Sequence, residues 1–384
     1  MKNKKVKICI LLHALVGGGA ERFILHLANN LSRDIFDIYL ILLKKEGEYL
    51  SMLAPDIKIV DLNLKAFKLS QPPNPLWLFK LSKAFREINP DLIFSTMTTT
   101  NLMAIIARFL TGLKMPLIIQ EAGILGDHLK FERLGFFKKI IYQFLVPGAD
   151  LIAVLTPAMA ADLQNLTQLK PEKIRVIPNI LDIDFIERNL KAGPIPSSVK
   201  IPKDLKIIIS MGRFEKIKGF DIGIRAFYEL QRKIPCCYWL LGQGREEGNL
   251  RKLASDLGIE QRVNFLGFQQ NPYPFLRAAN CFLLPSRSEG LPYTLLEAMC
   301  CELPCVASEY NLSVRDIVKH GENGLIVESD NPGKMAEAIE SILADKGVQD
   351  KFKVNGKRTI EAYSAQKIVP QYEQLFLSHA GSSS

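Results

Sequence analysis

Short apolar runs alternate with helix-patterned stretches from one end of the chain to the other. The runs predict strands over 7–13, 36–43, 58–62, 92–95, 116–120, 150–155 and 174–177. Between them, apolar residues three and four apart predict helices over 20–31, 75–88, 101–111, 133–145 and 157–166. The pattern lapses between about 179 and 204, where Lys191-Ala192-Gly193-Pro194-Ile195-Pro196 and Ile201-Pro202 read as an interdomain linker. It then restarts, with strands expected over 206–211, 237–241, 263–266, 280–284, 304–307 and 324–327. Helices are expected over 219–233, 246–257, 273–278 and 291–301, and the chain beyond Pro332 is helical in pattern. Strands that are apolar throughout, rather than alternating, belong in parallel sheets covered on both faces. The expectation is two doubly wound α/β domains in tandem. Ligands of such folds sit at the C-terminal ends of strands, here in a cleft between the domains.

Composition bounds this picture. A chain of 384 residues, 48% hydrophobic and 23% charged, is long enough for two soluble domains with sizeable cores and unlike collagen, coiled coil or bulk disorder. The formal charge of +9 is uneven, since residues 1–180 carry 23 Lys and Arg against 15 Asp and Glu. Such a half would suit an anionic membrane surface, nucleic acid or a phosphorylated substrate; it is also what an ordinary solvated surface can look like. The seven cysteines, at 9, 236, 237, 281, 300, 301 and 305, form no CxxC pair and sit in apolar stretches, as reduced thiols of a cytosolic protein do. The five histidines do not cluster with them, so no zinc site is expected. Lys2 to Lys7 followed by Ile8–Leu12 imitates a signal peptide, but the run ends in Gly17-Gly18-Gly19-Ala20-Glu21 and a helix pattern. No segment has the roughly 20 uninterrupted apolar residues of a spanning helix.

Three motifs carry candidate chemistry. Gly18 and Gly19 lie after the first strand and open a helix, where backbone amides and a helix dipole can meet a phosphate, although a tight turn alone would use the same residues. The second domain opens with a strand running into Gly212-Arg213-Phe214-Glu215-Lys216-Ile217-Lys218-Gly219. Arg213 and Lys218 leave one strand end together, as two cations offsetting the charge of a diphosphate leaving group would. Third, Glu289 falls in the loop after strand 280–284, and Glu297 lies eight residues later inside the next helix. Gly290 and Pro292 suit a turn at the helix start. Glu297, among Leu295, Leu296, Ala298 and Met299, needs a partner, which ribose hydroxyls or a buried arginine would supply.

With these motifs in order along nearly the whole chain, the sequence resembles the retaining family 4 glycosyltransferases of the GT-B fold. Matching segments also include Val176-Ile177-Pro178-Asn179 with Asp182, Leu241-Gly242-Gln243-Gly244 and Val263-Asn264-Phe265-Leu266-Gly267-Phe268. The resemblance implies an acceptor-binding Rossmann-like domain over 1–180, a linker over 181–204 and a nucleotide-sugar domain over 205–363. A last helix, 364–380, would cross back to the first domain. It implies that Arg213 and Lys218 bind the donor diphosphate and that Glu297 holds the ribose. The backbone around Gly244 and Phe268 would meet the base, and Glu289 with Gly290, Leu291 and Pro292 would hold the transferring sugar. The donor would be a nucleotide-sugar, with UDP first, used as substrate with no metal or other cofactor. The acceptor would be a glycan or polyprenyl-linked glycan in cell-surface polysaccharide synthesis. The enzyme would be cytoplasmic, peripheral on the inner membrane face.

Glu121 and His128 follow strand 116–120 and are weaker acceptor candidates, as is His13 at the end of the first strand. The basic aromatic stretch Phe131 to Phe144, and Trp77, Phe79, Lys80 and Lys83, could meet an anionic membrane surface or simply pack into the first domain. The sequence departs from the family at Glu302 and at Leu312-Ser313, where glycines are usual, and at Ile180 after Asn179. A non-glycine left-handed cap at Glu302 costs about 1 kcal/mol, so a different local turn is the expectation. Asp182-Ile183-Asp184 matches a metal-binding pattern of the other large glycosyltransferase fold, but its place in the linker argues against that role. Rival readings are a UDP-sugar 2-epimerase of the same fold, a non-catalytic nucleotide-sugar sensor and a polyanion-binding module. Nucleic acid is not expected, because aromatic and basic residues interleave only over 131–144.

Overall fold

The computed structural model describes residues 4–16, 18–64, 74–123, 140, 142–193, 195–197, 199, 201, 202 and 204–380. Its strands are β1 (Val6–Leu12), β2 (Phe36–Leu42), β3 (Lys58–Asp61), β4 (Leu92–Thr96), β5 (Leu117–Glu121), β6 (Leu151–Val154) and β7 (Ile174–Val176). Then follow β8 (Lys206–Met211), β9 (Cys236–Leu241), β10 (Val263–Gly267), β11 (Cys281–Leu284), β12 (Cys305–Glu309) and β13 (Leu325–Glu328). Its helices include α1 (Gly19–Asn30), α2 (Pro75–Ile88), α3 (Thr98–Thr111), α4 (Pro157–Thr167), α5 (Ile183–Lys191), α6 (Phe220–Leu230) and α7 (Glu247–Asp256). After them come α8 (Tyr273–Ala278), α9 (Tyr293–Cys300), α10 (Val314–Ile317), α11 (Pro332–Ala344), α12 (Lys346–Glu361) and α13 (Ala365–Ala380).

The strands form two all-parallel sheets, one ordered β3-β2-β1-β4-β5-β6-β7 and the other β10-β9-β8-β11-β12-β13. Both are doubly wound. In each, the strand order reverses beside the first strand, between β1 and β4 and between β8 and β11. The central strands are buried on both faces: β9, Cys236-Cys237-Tyr238-Trp239-Leu240-Leu241, has every residue buried. That is why they read as unbroken apolar runs.

The chain divides into two compact units, residues 1–180 with 365–384, and residues 181–364. Helix α13 belongs to the first. Its Phe376 ring lies 5.3 Å from Phe94 and its Tyr372 ring 5.3 Å from Phe23. Buried Gln120 donates to the Tyr372 hydroxyl at 2.7 Å and to Asn179 Oδ1 at 3.0 Å. Within the second unit, Leu181 N donates to Tyr363 O at 2.8 Å and Leu181 is bridged to Ser364, so the residues at its two ends lie side by side.

The segment read as a linker contains a helix. Helix α5 begins at Asp182, whose carboxylate accepts from Phe185 N at 2.8 Å. The cap satisfies an orphan amide of the first turn, and it gives Asp182 a local role in the Asp-Ile-Asp run. Ile183, Ile186 and Leu190 recur at helical spacing, but the neighbouring glycine and prolines masked the signal. His128 and residues 131–139 and 141 of the basic aromatic stretch lie outside the described residues.

Candidate active site

In the second unit the switch point between β8 and β11 gathers the charged loops. The chain leaves β8 through a short turn, Lys216–Lys218, and closes at Gly219, whose φ is +63°. A Cβ at Gly219 would stand 2.0 Å from the Pro285 carbonyl oxygen, so only glycine lets the loops after β8 and β11 approach this closely. Arg287 stitches them. Its amide donates to Ile217 O at 2.8 Å, and its guanidinium donates to Lys216 O and to both Asp221 oxygens at 2.8–2.9 Å. Burial pushes the Asp221 carboxyl up, but hydrogen bonds from Arg287 outweigh it and hold it below its ordinary value.

On this frame Lys218 meets Glu289. The ammonium lies 2.7 and 2.8 Å from the two carboxylate oxygens, and Ser286 Oγ donates to Oε1 at 2.8 Å. The side chains of Lys218 and Glu289 are 24% and 11% exposed. Behind them, Asn311 Nδ2 and Ser313 Oγ donate to the Glu289 carbonyl at 3.2 and 3.3 Å. Ser313 is one of the two residues standing where the family has glycines, and its hydroxyl anchors the Glu289 backbone. Gly290, Leu291 and Pro292 are buried, with Pro292 at the N-cap of α9.

Glu297 sits in α9 with 3% exposure, and Tyr273 OH donates to its Oε1 at 3.2 Å. A phenol thus holds one oxygen of the carboxylate that the sequence left open between ribose and arginine. Arg213 is apart from the ion pair: its side chain is 78% exposed and lies 3.4 Å from Glu215. Gly244 is a packing glycine, because a Cβ there would lie 2.5 Å from Phe214 O and 2.7 Å from Phe214 N. Phe214 N also donates to Gln243 O at 3.0 Å, and Gly242 N donates to Gly267 O at 2.8 Å. The loops after β8, β9 and β10 are therefore laced together, and they leave Phe268 53% exposed beside them. Glu302 does adopt the left-handed conformation, at φ +58°, so the turn keeps the form expected of glycine, with Arg277 3.2 Å from its carboxylate.

In the first unit the candidates lie at the C-terminal ends of β1 and β5. Glu121 closes β5 with 4% exposure, accepting from Asn101 Nδ2 at 2.6 Å and from Thr98 Oγ1 at 3.2 Å. Burial raises its carboxyl pKa above the usual value, against the pull of these donors. His13 Nε2 is 3.5 Å from Glu21 Oε1, and burial holds the imidazole below its ordinary pKa. Gly18 caps α1, and its missing Cβ makes room for Glu21, whose Oε2 would be 2.1 Å from that atom. This Glu at the third helical position folds back on the N-cap as in a capping box. Gly19 is the first residue of α1.

Sequence reasoning missed Ser286, Tyr273 and Asn311, and met Ser313 only as a departure from the family pattern. Ser286, three residues before Glu289, was within reach of a local reading; the other contacts join segments 22 to 24 residues apart and exist only once the strands are paired.

These features define a two-unit, doubly wound α/β protein with a paired cation and carboxylate at one switch point. Comparison with known proteins places it further. The family described as Glycosyltransferase Family 4 matches residues 17–185, and the one described as Glycosyl transferases group 1 matches residues 194–359. A lipopolysaccharide core biosynthesis glycosyltransferase of Rhizobium meliloti, LpsE, is 30% identical over 363 residues, with 94% of this chain and 96% of that protein covered. An N-acetylgalactosamine-N,N'-diacetylbacillosaminyl-diphospho-undecaprenol 4-alpha-N-acetylgalactosaminyltransferase of Campylobacter jejuni is 27% identical over 372 residues, with 94% and 97% covered. Among solved structures, HepE of Anabaena in complex with UDP and glucose superposes with a TM-score of 0.80 at 21% identity, with 97% and 100% of the two chains covered. The chain belongs to the family 4 glycosyltransferases and has their GT-B fold.

Proposed function

We propose that the chain is a retaining glycosyltransferase that moves a sugar from a UDP-sugar to a glycan or polyprenyl-diphosphate-linked acceptor without a metal ion. The observation that carries this reading is the Lys218–Glu289 pair at the switch point of the second sheet. In this reading Lys218 and the exposed Arg213 offset the negative charge that grows on the leaving diphosphate. Glu297, one oxygen held by Tyr273, accepts from the ribose hydroxyls, and the exposed Phe268 ring offers an apolar face to the base. Glu289 faces the transferring sugar. The bond from the anomeric carbon to the phosphate oxygen breaks and the bond to the acceptor oxygen forms on the same face. The acceptor's proton passes to the leaving phosphate, so no strong protein base is required.

The similar Campylobacter protein is named for transfer to a diphospho-undecaprenol-linked sugar, and HepE was solved with UDP and glucose. The first favours a lipid-linked acceptor and the second a UDP-sugar donor. Work at the cytoplasmic membrane face fits the basic first 180 residues and the exposed Leu76 and Phe79 on α2. Among the described residues no helix is long and apolar enough to cross a membrane.

The test is a calorimetric titration with UDP, GDP and ADP in EDTA. Micromolar UDP binding is the expected result, followed by acceptor-dependent UDP release from one of a panel of UDP-sugars. Preference for GDP or ADP would redirect the donor. Binding that appears only with added divalent cation would overturn metal independence, and absence of binding to all three would overturn the reading.

A further inference from the structure

The ion pair joins two residues that the donor reading assigns to different parts of the substrate. Lys218 places its ammonium within 2.8 Å of both Glu289 oxygens, so two of its three N–H groups are committed to the carboxylate. A cation neutralised in this way attracts a diphosphate less, and the pair is buried enough to escape most solvent screening. The two partners are anchored unequally. Glu289 is held at Oε1 by Ser286, which is 1% exposed, and at its carbonyl by Asn311 and Ser313. Lys218 reaches the pair on a flexible four-carbon stem from a short turn. When a second anion arrives, the lysine is the partner free to move.

We propose that Lys218 is held by Glu289 before the donor binds and turns to the donor diphosphate on binding, and that Ser286 is the positioning residue that then keeps Glu289 in place. This rests on the donor reading above. Glu289 therefore opposes diphosphate binding through Lys218, and Ser286 lessens that opposition by remaining as a partner for the carboxylate.

The experiment is a UDP titration of the full chain and a set of variants, with melting midpoints as the check on folding. Glu289→Gln is expected to bind UDP about five- to tenfold more tightly, because the freed lysine meets the diphosphate unpaired. Glu289→Ala, which also removes the charge, repeats the measurement should the glutamine variant fold poorly. Lys218→Ala is expected to weaken UDP binding about tenfold or more, and in that background Glu289→Gln should change affinity by less than about twofold. Ser286→Ala is expected to weaken UDP binding about three- to fivefold in the parent and not at all in the Glu289→Gln background, with Ser286→Thr restoring affinity.

A gain from Glu289→Gln that survives loss of Lys218 would mean that the carboxylate repels the diphosphate directly, and would overturn the exchange. A loss from Ser286→Ala that persists without the Glu289 charge would reduce Ser286 to a packing role. No UDP binding by the unaltered chain would sink the donor reading and this inference with it. Firm UDP binding with no coupling among the three positions would sink the inference alone.

Discussion

At and beside the switch point of the first sheet, at the ends of β1 and β5, charged side chains are buried and answered from within. Glu21 is 6% exposed and sits against Gly18 and His13, and Glu121 is 4% exposed and accepts from Asn101 and Thr98. At the switch point of the second sheet, Lys218 and Glu289 keep part of their surface open, and Arg213 stands largely in solvent. The two sheets share one winding, so topology alone does not decide which loop set does chemistry. The difference is one of availability. A buried carboxylate satisfied by amide and hydroxyl donors fixes a loop, whereas a partly open cation and carboxylate can exchange partners with an incoming ligand.

The largest expected effect tests that availability. Replacing Arg213 and Lys218 together by Ala removes two charge-assisted contacts, each worth roughly 1.5–3 kcal/mol. Affinity for UDP should fall by about 10²–10⁴, read by calorimetry. Unchanged UDP binding in the double variant would remove the chemical half of the contrast.

A smaller effect separates two glycines. Ala at Gly244 would place a Cβ 2.5 Å from the Phe214 carbonyl oxygen, and backbone cannot easily give way. Such overpacking costs about 1–3 kcal/mol. Ala at Gly18 meets only the end of the Glu21 side chain, which can swing aside, so denaturant unfolding should register a loss below about 1 kcal/mol. UDP affinity decides a further point. If Gly18→Ala weakens it tenfold or more, the glycine run touches the donor, and the first switch point is not merely structural.

How much of this was legible in the chain depends on the range of the contact. The strands announced themselves, because β1 and β9 are buried on both faces and admit almost nothing polar. Glu297 stood out because charge inside apolar surroundings is conspicuous, and Glu289 because it lies in the loop between a buried strand and that helix. Helix α5 did not, because its nine residues adjoin a glycine- and proline-rich stretch and the Asp182 cap reads equally as half of a metal pattern. The Lys218–Glu289 pair spans 71 residues and the Tyr273–Glu297 contact 24. Sequence could name the members of these pairs at best, since sheet pairing sets who meets whom.

The buried carboxylate of the first unit offers a pH test. Burial raises the Glu121 pKa above its ordinary value. A group raised in this way contributes its full stability below the unfolded value and loses it as pH rises through the folded value. Glu121→Gln has no such titration, so its stability relative to the parent should increase as pH rises from about 4.5, by about 1.4 kcal/mol for each unit of displacement. Urea unfolding at several pH values reads this directly. A difference independent of pH would mean that Glu121 is not the buried acid described, and the two switch points would be closer in character than their geometry suggests.

The smallest effect lies just past the end of the helix that carries Glu297. Glu302 holds φ +58°, a conformation that opposes a Cβ by about 1 kcal/mol. Glycine there would relieve this strain but give up the contact with Arg277; the Arg277 and Glu302 side chains are 53% and 42% exposed, so that loss falls within about 0–1 kcal/mol. Glycine also raises the entropy of the unfolded chain, which offsets part of the gain. The net expectation for Glu302→Gly is a stabilisation below about 1 kcal/mol, or a rise of no more than a few degrees in the melting midpoint. UDP affinity should stay within about twofold of the parent, because the change leaves the Tyr273–Glu297 contact in place. A shift in nucleotide affinity larger than that would show that the turn sets the pitch of the helix under Glu297. The departure at Glu302 would then belong to the site rather than to its scaffold.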